Sequence, residues 1–108
     1  WKRPRYTKIM PAICREGDTL STGHSCSSTT ILDTPRQSTV RVNSILIARV
    51  GDPTVSHSAP PAPPCPPHVR FVNVGSSTVR VSGSFIARIG DSADSGEMIT
   101  GSSNVFVG

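Results

Sequence analysis

A chain of 108 residues with 35% apolar and 5% aromatic side chains has room for one domain with a thin core, so a staple (disulfide, metal or partner) is expected. No run is long and apolar enough for a membrane-spanning helix, and no signal peptide is evident. The net charge of +4 is concentrated in Lys2, Arg3, Arg5 and Lys8; from Ile9 onward seven Arg face seven Asp plus Glu, which excludes the basic face of a nucleic-acid binder.

Residues 1–9 hold those four cations and precede Met10-Pro11, which has the form of a native start. They read as a leader, and residues 10–108 as the domain. The first structured element is Ile13-Cys14-Arg15-Glu16-Gly17-Asp18. Its Gly permits a positive-φ corner, and its Asp can bond back to nearby amides. The connection that follows carries His24 and Cys26. Ser38 to Asp52 then reads as a hairpin. Val40 and Val42 alternate with Thr39 and Arg41, Asn43-Ser44 is a turn dipeptide, and the second strand ends in Ala48-Arg49-Val50-Gly51-Asp52. The next connection holds His57, six prolines between Pro60 and Pro67, and Cys65-Pro66-Pro67-His68. A second hairpin, Ser77 to Asp91, turns at Ser82-Gly83, and Ser103 to Gly108 begins another copy. No stretch has a helical apolar period.

These elements are copies of one unit. Ser38–Asp52 aligns without gaps to Ser77–Asp91 at an offset of 39 residues. Residues 13–18 match the back half of the unit, and residues 103–108 match the front half. The chain is therefore a circularly shifted threefold repeat, and three hairpins closing on one another predict a threefold β body. Arg15, Arg49 and Arg88, with Asp18, Asp52 and Asp91, fall at equivalent corners. Each arginine is expected to be partly buried and bonded to backbone carbonyls or to its Gly-Asp corner.

The three histidines all lie in connections between repeats. His24, His57 and His68, with Cys65 at Cys-x₂-His spacing, supply four nitrogen or sulfur donors, the set tetrahedral zinc prefers. Four protein ligands leave no open position, so such a site is structural. The Pro-rich stretch has little freedom to lose and presents a ligand at low entropic cost; read as a polyproline ligand it lacks a flanking basic anchor. Cys14 takes the slot of Ala48 and Ala87 and reads as a small buried residue. Cys26 is a rival metal ligand or a disulfide partner for Cys14 or Cys65, and the odd cysteine count favours free thiols at Cys14 and Cys26.

An enzyme is not expected. No serine has a suitably patterned histidine and acid, and Asp18, Asp52 and Asp91 are equivalent copies with a corner role, not an acid/base pair. A stand-alone zinc-binding interaction module is the alternative, although a nucleic-acid version lacks both the charge and the aromatic platforms.

The repeated Ala-Arg-x-Gly-Asp element resembles the PAAR-repeat family, the spike tips of type VI secretion systems, contractile phage tails and related particles. The family signature, Asn-Gly-x-Pro-Ala-Ala-Arg-x-Gly-Asp, maps onto Asn43–Asp52 and Ser82–Asp91, and the resemblance covers residues 10–108. Leu46 and Phe85 replace the signature proline, and Asn43-Ser44 and Ser82-Gly83 replace Asn-Gly, which points to a divergent or phage-type branch. The resemblance implies an all-β, pseudo-threefold cone of three hairpin-like repeats with a metal-stapled apex. It carries structural zinc, bound by three histidines and one cysteine, onto His24, His57, Cys65 and His68. It also implies a membrane-puncturing tip that caps a trimeric β-helical spike, one copy per trimer. Such a tip is monomeric when isolated and touches the target membrane transiently. Its place is a virion tail tip or a bacterial secretion apparatus. Ile45, Ile47, Phe85, Ile86, Val105 and Phe106 are the expected spike-docking base, and no effector is expected within these residues.

Overall fold

Short alternating segments punctuated by Gly, Pro and Ser cannot build long strands, and among the described residues no strand exceeds three residues. The computed structural model describes residues 10–60 and 65–108; the expected leader and residues 61–64 of the Pro-rich stretch lie outside them. The described residues hold ten strands and no helix. They are β1 (Thr19–Ser21), β2 (Thr29–Ile31), β3 (Arg41–Val42), β4 (Ile45–Leu46) and β5 (His57–Ser58). Then come β6 (Pro67–His68), β7 (Arg80–Val81), β8 (Ser84–Phe85), β9 (Ser92–Ala93) and β10 (Gly96–Glu97). Successive strands pair as antiparallel hairpins.

The lower tier is threefold. β3–β4 and β7–β8 supply two hairpins, each closed by a two-residue turn with both central φ angles positive: 55° and 67° at Asn43-Ser44, 50° and 89° at Ser82-Gly83. The third is assembled from the two ends of the sequence. Ala12 bridges Phe106, the Val107 amide donates to the Pro11 carbonyl at 3.0 Å, and the Ile13 amide donates to Val105 at 3.0 Å. Ile47 to Val40 and Ile86 to Val79, each 3.1 Å, are the same bond in the other units.

At the centre the units close a ring. The Cys14 amide donates to the Ala87 carbonyl (2.9 Å), Ala87 to Ala48 (3.0 Å) and Ala48 to Cys14 (3.0 Å). All three residues are fully buried, because three backbones converging within hydrogen-bond reach leave room only for small side chains. Below the ring lies an apolar cluster of Ile13, Ile47 and Ile86 with Val42, Val81 and Val107, each trio one position of the repeat. The ring itself packs with Leu20, Leu32, Val72, Ala93 and Met98.

Each Arg-x-Gly-Asp corner turns the chain upward. The arginine amides of Arg15, Arg49 and Arg88 donate to Oδ2 of Asp18, Asp52 and Asp91 at 2.7, 2.7 and 2.8 Å. Each aspartate amide returns a 3.0 Å bond to its arginine carbonyl. Gly17, Gly51 and Gly90 sit at φ 84°, 92° and 91°, which a side chain would resist. Above the corners, bridges Leu20–Met98, Leu32–Thr54 and Val72–Ala93 tie the stems of the upper hairpins into a second ring.

One threefold feature lies just outside the aligned repeat. Gln37 Oε1 accepts the amides of Thr39 and Val40, Ser76 Oγ those of Thr78 and Val79, and Ser102 Oγ those of Asn104 and Val105. These buried caps satisfy amides that the short hairpins leave unpaired. Ser76 and Ser102 already match in sequence, whereas Gln37 joins them only in space.

Candidate metal centre

The upper hairpins carry loops of different length, and each brings donors to one point. The β1–β2 loop holds His24. β5 and β6 place His57 and His68 directly opposite each other. β9–β10 turns through Asp94-Ser95, with Asp94 at φ 55°. That strained turn is held from outside: the Asn73 amide group donates to the Asp94 carbonyl and to Ser92 Oγ, both 2.9 Å, and the Asp94 amide donates to Phe71 at 3.2 Å. The first and third hairpins lie backbone on backbone, since a Cβ on Gly23 would collide with the Ser95 carbonyl and one on Gly96 with the Ser21 carbonyl.

His24, His57, His68 and Asp94 offer donor atoms that all lie within 4.8 Å of one another. Asp94 Oδ2 stands 3.0 Å from His24 Nε2, 2.8 Å from His57 Nε2 and 3.4 Å from His68 Nε2. His68 Nε2 is 3.1 Å from His24 Nε2 and 2.7 Å from His57 Nε2. A tetrahedral ion with bonds of about 2.0–2.1 Å separates its donors by about 3.3 Å, the scale of these contacts.

The hydrogen positions sharpen the fit. His24 Nδ1 lies 2.9 Å from the Ser25 carbonyl, and His57 Nδ1 lies 2.9 Å from the Val55 carbonyl. A carbonyl only accepts, so the hydrogen is assigned to Nδ1 in both rings. With Nδ1 so assigned, both rings turn Nε2 toward Asp94 Oδ2, where it can donate a proton to the carboxylate or share a cation with it. Carbonyl backing of this kind orients metal-binding histidines. The Asp94 side chain is 1% exposed, and its Oδ1 is buried with no hydrogen-bond partner, which an ion would offset.

Charge follows the same arrangement. Burial pushes the Asp94 carboxyl up, but hydrogen bonds from His57 and His24 and the histidine charges outweigh it and hold it below its ordinary 3.8. Desolvation, then the charge of His57, pulls His68 below its ordinary 6.5, which favours the neutral ring a metal needs.

Three of the four expected donors come together. His24, His57 and His68 converge, whereas Cys65 is joined to Cys26 by a disulfide and lies outside the group, with Asp94 in its place. Cys26 is therefore not a free thiol. The reason is strand geometry. The Ala59 amide donates to Pro66 at 2.9 Å and extends the β5–β6 ladder back to Pro66. Residues three apart on an extended chain face opposite sides, which fits a Cys65 bonded to Cys26 and a His68 turned to the other histidines. Cys14 is the free cysteine; it is fully buried, its thiol donates to the Thr100 carbonyl at 3.3 Å, and burial pushes its pKa far up. A signal for Asp94 did exist: the third connection has no histidine, and its only metal-binding side chains are Asp94 and Glu97.

A threefold ring of Arg-x-Gly-Asp corners beneath a histidine-rich apex is the arrangement the signature encodes, and the PAAR motif matches residues 16–100. The chain belongs to the PAAR-motif family. Among curated proteins none matches it. PAAR chains serve as spike tips in type VI secretion and related contractile machines, and the all-β body of this one, with a cluster that could hold a metal ion, fits that class.

The PAAR corners differ in detail. Arg15 and Arg88 fold back on Asp18 and Asp91 through Nε, at 3.1 and 3.0 Å. Arg15 and Arg49 also reach the next hairpin turn: Arg15 Nη1 donates to Asn43 Oδ1 (3.1 Å), and Arg49 Nη1 donates to the carbonyls of Val81 (3.1 Å) and Ser82 (3.3 Å).

Proposed function

We propose that this chain caps a trimeric β-helical spike as a single copy, with a structural zinc ion holding the apex rigid for membrane puncture. The observation that carries the reading is the closed ring of hydrogen bonds through Cys14, Ala48 and Ala87. A threefold ring inside one chain gives three similar lower faces, which match the axis of a trimer without further copies.

The apex is opposite those faces. Zinc suits three imidazoles and a carboxylate, and a closed shell supplies stability and not chemistry. Phe106 is 51% exposed at the base, and Ile45, Phe85 and Val105 are half-buried, so all four can meet a partner. Ile47 and Ile86, at 3% exposure, belong to the apolar cluster and support that surface from within. Short two-stranded hairpins at this end leave edges that a spike's strands can extend, which also covers an aggregation liability.

Mass measurement of the tip bound to its spike tests the reading. A ratio of one tip to three spike subunits is expected, with the isolated tip monomeric. A 3:3 ratio, or a homotrimer of this chain alone, overturns it.

A further inference from the structure

Resting on the metal-stapled apex proposed above, we infer that this apex holds its ion without sulfur, on His24, His57, His68 and Asp94, and that Cys26–Cys65 is a separate covalent clasp across the same loops. The chain has three cysteines, and all are accounted for. Cys26 and Cys65 are bonded to each other, and Cys14 is sealed in the central ring below. No cysteine sulfur is among the grouped donors of the described residues.

The carboxylate has the marks of a ligand. One oxygen of Asp94 is within 3.4 Å of all three Nε2 atoms, and the other is buried with no partner. A buried carboxylate oxygen left without a donor is costly, and a divalent cation against the group removes that cost. Its residue is also held in a left-handed conformation by Asn73 and Phe71, away from the conformation it would choose alone. Three imidazoles and one carboxylate are donors of borderline to hard character. They suit Zn²⁺, Co²⁺ or Fe²⁺ and lack the thiolates that soft ions such as Cu⁺ select. The clasp joins the His24 loop to the β5–β6 hairpin, so these loops are tied twice by unrelated chemistry: one link yields to a chelator, the other to a reductant.

The test strips the full chain of metal, reloads it with Co²⁺, and records the absorption spectrum without reductant. Expected are one cobalt per chain with no sulfur-to-cobalt charge-transfer band, and one titratable thiol per denatured chain. Cys65→Ser should keep both cobalt and spectrum. Asp94→Asn should weaken binding beyond the ~10–100-fold typical of losing an outer-shell partner. A sulfur charge-transfer band in the wild type, or loss of cobalt in Cys65→Ser with retention in Asp94→Asn, overturns the sulfur-free site and leaves the metal-stapled tip standing. If Asp94→Asn does not fold, the wild-type and Cys65→Ser spectra decide alone. Failure of the wild type to bind any metal overturns both.

Discussion

Replacing Cys26 and Cys65 by serine removes a cross-link between residues 39 apart in sequence. In the chain-entropy account, a loop of that length restricts the unfolded chain by about 4 kcal/mol at 25 °C. For a domain of this size each kcal/mol moves Tm by roughly 4–8 °C, so the double variant should melt some ~15–30 °C lower. The ion acts on the other side of the equilibrium, by binding the folded state; at a thousand times its Kd it adds about 4 kcal/mol. One link acts on the unfolded chain and the other on the folded one, and they share no ligand, so the two effects should add. Urea unfolding followed by far-ultraviolet circular dichroism measures both, in wild type and variant, with excess zinc and with chelator. The zinc increment should be the same in both proteins. An increment that vanishes in the serine variant would mean sulfur ligation, and a serine penalty below about 1 kcal/mol would mean that the clasp restrains nothing.

Arg49→Ala should cost about 1–3 kcal/mol, since it strips donors from the Val81 and Ser82 carbonyls. Arg88→Ala, whose side chain is 20% exposed and bonds Asp91, should cost less; equal losses in equilibrium unfolding would refute the distinction. In the metal-free protein both His68 and Asp94 hold folded-state pKa values below their ordinary ones, so the folded chain binds fewer protons than the unfolded chain. That contribution is complete above the ordinary 6.5 of histidine, and is lost progressively as pH falls below it and again below 3.8. Tm should therefore drop on acidification from pH 7, and a Tm that rises toward pH 5 would contradict this. Ser44 sits at φ 67° where Gly83 stands in the sister hairpin, so Ser44→Gly should gain about 0.5–1 kcal/mol in the same unfolding assay; a loss would refute the strain.

What the sequence alone determines here is whatever repeats. Ser38–Asp52 and Ser77–Asp91 declare the unit, residues 13–18 and 103–108 declare the circular shift, and a body with three copies of one corner has few ways to close. The three histidines were legible for a related reason: imidazoles confined to connections stand out in a chain with few other donors. The fourth member of the group was marked only by the want of a histidine in the third connection. Cys-x₂-His spacing is a rule for tight turns, and whether residues 65–68 turn or run straight is settled by the ladder against residues 57–59, not by the residues themselves. Once that ladder forms, Cys65 is bonded to Cys26, and the residue that joins the histidines is Asp94, 29 residues beyond Cys65. Gln37, Ser76 and Ser102 make the same point in the lower tier, where unlike side chains are equivalent because each caps the same two amides. Repetition is written in residue identity, whereas coordination and capping depend on which atoms the fold brings within three ångströms, and only the tertiary structure decides that.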